Sequence, residues 1–236
     1  MVESYPIEKW PSVWYSEEKL TSVSMALEHQ RILGKYKRHI QLVASLTDLS
    51  NFDLQFIGDG LAIGVDEAGR GPLAGPVVAA ACIIRVSDNL LGLNDSKKLS
   101  QAQREHLYRI ITTEAIAYGV GCVSHTRIDE INILNATKEA MHLAISGALK
   151  QLCDKGLAFV NAIDQGIVGP IGIITDHVKL TGYNYPMLAE VKGDQKSLAV
   201  AAASIIAKVT RDHYMENEGI KFPDYGFQIH KGYGTP

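Results

Sequence analysis

The most informative part of this chain is the segment Asp66-Glu67-Ala68-Gly69-Arg70-Gly71-Pro72-Leu73-Ala74-Gly75-Pro76. It lies between two apolar runs, Leu61 to Val65 and Val77 to Ile84. These runs predict two short strands, 61–66 and 76–84, which the glycine-rich segment joins. Two carboxylates at the end of a strand, next to a loop of bare backbone amides, suit a divalent cation and a phosphate together. The segment therefore predicts a sheet with a binding site at its edge.

The composition is that of an ordinary soluble globular protein. The chain has 236 residues, of which 46% are hydrophobic and 21% are charged. A chain of this size can bury a full core as one large domain, or as one domain with an appendage. Its net charge of −3 gives no global basic field, although a local basic stripe is enough to bind nucleic acid.

Three features of the sequence bear on the compartment of the protein and on its relation to membranes. The three cysteines are too far apart for a metal finger, which indicates reduced thiols in a cytosol. Glu3, Glu8 and Lys9 precede any apolar stretch, which is untypical of a signal peptide. The small-apolar run Leu198 to Ala207 is shorter than the ~20 residues that a spanning helix needs. We therefore expect a cytoplasmic protein without a membrane partner.

The first 58 residues differ from the rest and predict a small helical extension, 1–58, before a main domain at 59–236. Glu17 to Leu46 permits a helix, and Asp48 to Gly60 is polar and turn-rich, as a linker is. The helical part holds a basic cluster, formed by Arg31, Lys35, Lys37, Arg38 and His39. This cluster is either a solvated helix face or an accessory grip on phosphates, and both interpretations stay open.

From residue 61 onward, short apolar runs alternate with amphipathic segments, which predicts an α/β fold. Ser100 with Gln103 is a capping-box signal for a helix that runs to about Tyr118 and ends at Gly119. Ser197 to Val209 is apolar on nearly all sides and predicts a helix buried against the sheet. The other predicted elements are a strand at Val120–Val123, a helical turn at Thr126–Asp129, a helix at Ala136–Leu152, and strands at Ile171–Thr175 and Leu188–Val191.

The loop Gly69-Arg70-Gly71 can bring backbone amides close to a ligand, because glycine has no side chain in the way. Arg70 adds a planar fork for phosphate oxygens. Tight turns have the same composition, and the Walker and dinucleotide glycine patterns are absent from the sequence, so the loop alone is a weak signal. An Asp-Glu pair is also most often a solvated surface turn. The loop and the acids further along the chain together favour a site.

Three later segments carry polar groups that suit the same site. Asp95-Ser96-Lys97-Lys98 places two lysines and a hydroxyl just before a helix start, where they either contact phosphate or form an ordinary charged loop. Asp194 stands just ahead of the Ser197 helix, whose N-terminal dipole favours an ionised carboxylate, so it is either a metal ligand or a simple cap. Tyr233 lies between glycines, either exposed for stacking on a sugar or base, or part of a flexible tail.

Taken together, these segments resemble bacterial ribonuclease HII. The matching motifs stand in the family's order and cover about residues 61 to 236. The arginine of the glycine loop separates the chain from the related ribonuclease HIII. The motifs are Gly64 to Val78, Asp95 to Ser100, Ile128 to Leu134, Lys192-Gly193-Asp194, Ala202 to Asp212, and Lys231 to Thr235.

The resemblance implies a ribonuclease H-like fold, a mixed sheet flanked by helices. It implies an endonuclease that leaves 5′-phosphates and cuts the RNA strand of RNA/DNA hybrids. It also implies cleavage on the 5′ side of a single ribonucleotide embedded in duplex DNA. Four acids, namely Asp66, Glu67, one acid on a middle strand and Asp194, would hold Mn²⁺ or Mg²⁺, with two ions when substrate is bound. We expect the enzyme to act as a monomer.

The resemblance also implies which residues bind the substrate. Gly69-Arg70-Gly71 resembles the element that reads the ribose 2′-hydroxyl, and Tyr233 resembles the ring that stacks on the neighbouring sugar. The other matched positions expected at the substrate are Ser96, Lys97, Lys98, Ser204 and Lys208.

Two residues compete for the place of the middle-strand acid. Asp176 and Asp164 each end an apolar run, and they lie 18 and 30 positions before Asp194. The family spaces this acid modestly ahead of its Lys-Gly-Asp element, and Asp176-His177-Val178-Lys179-Leu180 resembles the Asp-x-hydrophobic-x-Leu pattern of some relatives. We therefore expect Asp176, with Asp164 as the alternative. The choice makes about 154–169 an insertion relative to the family.

The resemblance leaves one departure and two rival functions. The family usually continues past its Gly-Tyr-Gly-Thr element through another helix, whereas this sequence stops at Pro236, either because it is truncated or because the natural protein lacks that helix. One rival function is a hybrid-binding module that does not cut, which should lack one of the carboxylates. The other is a different metal-dependent nuclease on the same scaffold, which the loop expected to read the 2′-hydroxyl argues against.

Overall fold

The computed structural model describes residues 22–156 and 170–235, with side chains from residue 30 onward. The chain divides into two compact units, 1–41 and 42–236. Residues 22–41, the described part of the first unit, are helical throughout. All further description concerns the second unit, which contains the sheet.

The described elements alternate as predicted. The helices are α1 (Ser22–Ile57), α2 (Gln101–Glu114), α3 (His125–Ile131), α4 (Ile133–Asp154), α5 (Leu198–Lys221) and α6 (Phe227–His230). The strands are β1 (Leu61–Ala68), β2 (Val77–Ile83), β3 (Ala117–Val123), β4 (Ile171–Asp176) and β5 (Met187–Glu190). Short 3₁₀ turns cover Asp88–Leu90, Ser96–Lys98, Gly193–Gln195 and Pro223–Tyr225.

The strands form one mixed sheet in the order β3-β2-β1-β4-β5. The first three strands are antiparallel neighbours, while β1, β4 and β5 run parallel. The two halves meet at β1, which pairs Gly64 with Cys82 on one side and Val65 with Thr175 on the other. This confirms the predicted mixed sheet, and it places the carboxyl end of β1 at the centre of one sheet edge.

Helices cover both faces of the sheet. Residues that alternate along β1 and β2, such as Ile63 and Ala79, pack with α4 in one core, whereas Ala80 and Cys82 pack with α5 and α2 in another. The approach of α5 is very close, because a Cβ on Gly64 would lie 2.0 Å from the backbone carbon of Ala199. A glycine at position 64 therefore lets the first turn of α5 pack directly on the strand that carries the two acids.

Helix α1 continues through the segment that we expected to be a linker. Residues 48–57 are helical and only 58–60 form the turn. Leu46, Leu49, Asp53 and Ile57 are buried at spacings of one helical face, and Leu46 and Leu49 join the core that contains α5. The polar composition misled the prediction, because the exposed face supplies the polar residues.

Helix α2 is shorter at its C-terminal end than predicted. Its capping box at Ser100 and Gln103 is present, but it ends at Glu114, and the chain is already extended at Ala115. The stretch predicted as its last turn instead opens β3, where Ala117 pairs with Ile83. Pairing with β2 outweighs local helix propensity there.

In the described part of the chain, no helix is both long enough and apolar enough to cross a bilayer.

Candidate active site

The ends of two parallel strands bring the first acids together. Val65 of β1 pairs with Thr175 of β4, so the next residues, Asp66 and Asp176, stand side by side at the same edge of the sheet. Glu67 follows on β1, and its backbone N–H donates to Asp66 Oδ1 at 2.7 Å. Both acids lie within β1, which continues to Ala68 and pairs with β2 along its whole end, so their side chains start from opposite faces of the strand.

Asp194 reaches the same edge from the turn before α5. It lies in the 3₁₀ turn Gly193–Gln195 and is buried, with 4% of its surface exposed. The turn is tied to β4, because the Gly193 N–H donates to Asp176 Oδ1 at 2.8 Å. The structure therefore gathers the three acids on β1 and β4 with the acid of this turn.

Electrostatics show how close the four carboxyls are. The pKa of Asp66 is raised well above its usual value, first by burial and then by the negative charges of Glu67, Asp176 and Asp194. Burial also raises the pKa of Glu67, an effect that the Arg70 side chain partly offsets. Burial, followed by the charges of Asp95 and Asp176, raises the pKa of Asp194 to about 6. Each carboxyl thus lies within range of at least one other.

This donor set fits a divalent cation. Carboxylate oxygens are the ligands that Mg²⁺ and Mn²⁺ prefer, and Glu67 Oε2 is buried without a hydrogen-bond partner. A cation would supply what the cluster lacks, because it favours the ionised forms that mutual repulsion disfavours. Among the described residues, no three His, Cys, Asp or Glu side chains are already arranged around a single point that would hold an ion. Binding would therefore draw the carboxylates closer together.

The glycine loop begins where the acids end. Arg70 Nη1 donates to Glu67 Oε1 at 3.0 Å, so the loop's only charged side chain faces the acid cluster. Gly69 has φ +111°, and a Cβ there would lie 2.5 Å from both Pro76 O and Arg211 Nε. Only glycine fits this position without strain. The backbone at Gly69 is therefore fixed by its surroundings.

Arg211 on α5 anchors the glycine loop, and the sequence pattern did not single out this residue. Its side chain is 1% exposed and donates to three carbonyl oxygens: Pro76 at 3.0 Å, Ala74 at 3.0 Å and Lys231 at 2.9 Å. A buried guanidinium needs acceptors for its N–H groups, and here backbone carbonyls of two separate segments supply them. This one joins the glycine loop to the C-terminal segment.

That junction puts Tyr233 beside the glycine loop. Gly232 O accepts from the Leu73 N–H at 2.9 Å, and Gly71 faces the Tyr233 ring closely enough that a Cβ there would lie 3.6 Å from it. The ring is 49% exposed, and Lys208 Nζ lies 6.0 Å from its centre. Three of the predicted substrate-binding residues, Gly71, Lys208 and Tyr233, are thereby neighbours.

The Asp95–Lys98 turn also lies near the acids. Lys97 and Lys98 are exposed, and Lys97 lies close enough to lower the pKa of both Glu67 and Asp194. Ser96 and Ser204 are both buried, and the Ser204 hydroxyl donates to Ser96 Oγ at 2.8 Å. These two hydroxyls link the turn to α5.

Asp95 is a further carboxyl at the site that the sequence analysis did not rank as a site residue. It is buried, it accepts from Lys97 N at 2.9 Å and from Gln195 Nε2 at 3.3 Å, and its charge lies close enough to raise the pKa of Asp194. Its place as the cap of a 3₁₀ turn was readable from the sequence, but its contact with Asp194 spans about a hundred residues and was not. Asp164, the alternative third acid, lies outside the described residues.

Comparison with known proteins identifies a family whose members resemble this chain over most of its length. The family model described as Ribonuclease HII matches residues 63–236. The ribonuclease HII of Ruminiclostridium cellulolyticum is 42% identical over 219 residues, which are 90% of this chain and 79% of that protein. The ribonuclease HII of Clostridioides difficile is 37% identical over 240 residues, covering all of this chain and 86% of the relative. The ribonuclease HII solved in complex with PCNA from Archaeoglobus fulgidus is 28% identical, with a TM-score of 0.51 over 75% of this chain and 83% of that one.

Proposed function

Since this chain belongs to the ribonuclease HII family, and so is a type 2 ribonuclease H that acts on RNA/DNA hybrids, we propose that it also cuts 5′ to single ribonucleotides embedded in duplex DNA. We further propose that both reactions need divalent cations held by Asp66, Glu67, Asp176 and Asp194. The observation that supports this most is the direct joining of the acid cluster to the glycine loop. Glu67 and Arg70, three residues apart, touch at 3.0 Å.

The acids and the loop divide the work between cleavage and recognition. Mn²⁺ or Mg²⁺, when bound by the carboxylates, would lower the pKa of an attacking water and stabilise charge on the scissile phosphate. Asp66 and Asp194 are buried, so their charges would act in a medium of low dielectric and hold a cation firmly. Lys97 and Lys98, exposed beside the acids, would hold the phosphate backbone.

Recognition of RNA at one position requires a contact with the 2′-hydroxyl. The backbone groups of Gly69-Arg70-Gly71 lie next to the acids and have no side chain in front of them at either glycine. The exposed Tyr233 ring, beside Gly71, would stack on the next sugar. One chain carries every residue that this proposal uses, and we propose that it acts as a monomer.

The test uses three duplexes of one sequence: an RNA/DNA hybrid, a DNA duplex with one ribonucleotide, and an all-DNA duplex. Each is incubated with Mn²⁺, with Mg²⁺ or with a chelator. We expect cleavage of the hybrid and of the single-ribonucleotide duplex, on the 5′ side of the ribonucleotide, and none with chelator or with all-DNA. Cleavage of the hybrid alone would overturn the embedded-ribonucleotide proposal, and cleavage in chelator would overturn the cation proposal.

The two rival functions give different results in the same assay. A hybrid-binding module would retain the hybrid in a mobility-shift experiment and cut nothing with either cation. Another nuclease on this scaffold would cut the all-DNA duplex as fast as the single-ribonucleotide duplex.

A further inference from the structure

One buried carboxylate outside the acid cluster holds the segment that carries Asp194. Asp53 lies on α1, is 8% exposed, and accepts from the Ala199 N–H through Oδ2 at 2.9 Å. Its other oxygen, Oδ1, is buried without a hydrogen-bond partner, so this one bond is the contact between the carboxylate and α5. A residue 146 positions earlier in the chain thus accepts from the first turn of α5.

The first turn of α5 is rigidly connected to the turn that carries Asp194. The Ser197 N–H donates to Gly193 O at 2.8 Å, and Asp194 stands between these two residues. Ser197 Oγ in turn accepts from the Val200 N–H at 3.1 Å. Any displacement of the start of α5 is therefore passed on to the backbone of Asp194.

The segment 193–199 is held at two points. At one end, Gly193 donates to Asp176 Oδ1, which belongs to the acid cluster itself. At the other end, Ala199 donates to Asp53, which does not. The carboxylate also suits this place because the N-terminus of a helix carries partial positive charge. Asp53 is the only one of these anchors that lies before residue 63, where the match to the family model begins.

Packing of α1 against α5 restricts the movement of Asp53. Leu46 and Leu49, on the same face as Asp53, are both 4% exposed and belong to one core with Leu198, Ala201 and Ala202 of α5. Close-packed side chains of this kind leave an anchoring group little freedom to move.

We propose that Asp53 is a positioning residue: its acceptor oxygen fixes the first turn of α5 and thereby holds Asp194 where a divalent cation needs it. The inference rests on the proposed cation site. It also means that the part of α1 in the second unit, residues 42–57, contributes to the working enzyme.

The experiment compares the full chain with three variants. Asp53→Ala removes the acceptor, Asp53→Asn keeps an acceptor oxygen without the charge, and Asp48→Ala is the matched control at an exposed position of the same helix. Mn²⁺ binding is measured by calorimetry, backbone hydrogen exchange of residues 193–199 by mass spectrometry without metal, and hybrid cleavage by kcat and KM.

For Asp53→Ala we expect Mn²⁺ binding about tenfold weaker, as for other groups that orient a metal ligand. Exchange at 193–199 should be faster and kcat lower, while KM for the hybrid is unchanged. Asp53→Asn should restore Mn²⁺ binding to within about threefold of wild type, and Asp48→Ala should match wild type. A merely structural role would lower thermal stability without changing Mn²⁺ affinity.

Several results would overturn the inference. One is a folded Asp53→Ala protein with wild-type Mn²⁺ affinity and wild-type exchange; another is an Asp53→Asn protein as impaired as Asp53→Ala. If Asp53→Ala does not fold, Asp53→Leu removes the acceptor while filling the space, and the same criteria apply. If the wild type itself binds no Mn²⁺, the proposed cation site fails, whereas the exchange comparison still decides whether Asp53 orders 193–199.

Discussion

At the scale of single residues, the most unusual feature is a set of carboxyls that the fold buries close together. Burial and mutual repulsion raise the pKa values of Asp66, Glu67 and Asp194, so ionising them costs the folded protein free energy. A core position filled only for stability would not use three such groups. The arrangement is explained if a bound cation offsets the repulsion.

Asp66→Asn should separate cleavage from binding. The amide keeps the shape of the side chain but removes one charge from the cluster, so a cation is held less well. We expect cleavage of an RNA/DNA hybrid to fall on the order of 10³-fold, the loss typical of removing one electrostatic stabiliser. Hybrid affinity, measured by fluorescence anisotropy in Ca²⁺ or chelator, should stay within a few-fold of wild type. Undiminished turnover would refute the role of Asp66.

Gly69→Ala should destabilise the protein, because alanine is strained at φ +111° and its Cβ would lie 2.5 Å from Arg211 Nε and Pro76 O. We expect the free energy of unfolding to drop by about 1–3 kcal/mol in chemical denaturation. Gly71→Ala is the matched control, since its Cβ would meet only the Tyr233 ring, at an ordinary 3.6 Å. Equal stability of the two variants would contradict the geometry described for the loop.

At the scale of elements, α5 organises the site. It begins just after Asp194 and packs on β1 through Gly64. Further along, Ser204 binds the Asp95–Lys98 turn and Arg211 binds both the glycine loop and the C-terminal segment. One helix therefore sets the distances among the acids, the loop and Tyr233.

Arg211→Lys should loosen the junction between the loop and Tyr233. A single ammonium group cannot replace a guanidinium that donates to three carbonyls, and each buried carbonyl left without a donor is costly. We expect the free energy of unfolding to fall by about 2–4 kcal/mol, with a reduced preference for the single-ribonucleotide duplex over the all-DNA duplex. Arg109→Lys, at an exposed position of α2, is the control and should change neither quantity. A stable Arg211→Lys enzyme with full preference would argue against the junction.

The anchor between α1 and α5 should reveal itself in the pH dependence of stability. Burial raises the pKa of Asp53 from 3.8 to about 6. A carboxyl whose folded-state pKa is raised contributes stability that is present below its unfolded pKa and is lost as pH rises through about 6. Relative to Asp53→Asn, the metal-free wild type should therefore lose up to about 3 kcal/mol between pH 4 and pH 7.5.

The measurement is urea denaturation of both proteins across that pH range. Asp48→Asn, at an exposed position of the same helix, should show no comparable trend relative to wild type. A difference between wild type and Asp53→Asn that does not vary with pH would contradict the description of Asp53.

At the scale of the whole molecule, the sequence was most informative where chemistry and periodicity coincide. The run ending in Asp66 and Glu67 predicted β1, and the glycine loop and the strand after it followed directly. The length of α1 was underestimated because one face of its last turns is exposed and polar, and this composition resembles that of a linker. The spacing of four residues nevertheless indicated a helix, namely Leu46, Leu49, Asp53 and Ile57. The start of β3 was missed because its pairing with β2 is not a local property.

Long-range contacts account for what sequence patterns left out of the site. Asp95 meets Asp194, and Arg211 meets Pro76, through contacts that join residues about 100 and 135 positions apart. Nothing in the local pattern of either residue distinguishes it from a capping acid or a helical arginine. The motifs near Asp66 and Gly69 could be recognised from the sequence because the residues that form them are close together in the chain.

The proposed cation site is tested most directly by an anomalous difference map from crystals of the protein soaked in Mn²⁺. We expect a peak within bonding distance of Asp66 and of at least one other member of the set Glu67, Asp176 and Asp194. A map in which Mn²⁺ binds elsewhere, while these carboxylates remain without an ion, would contradict it.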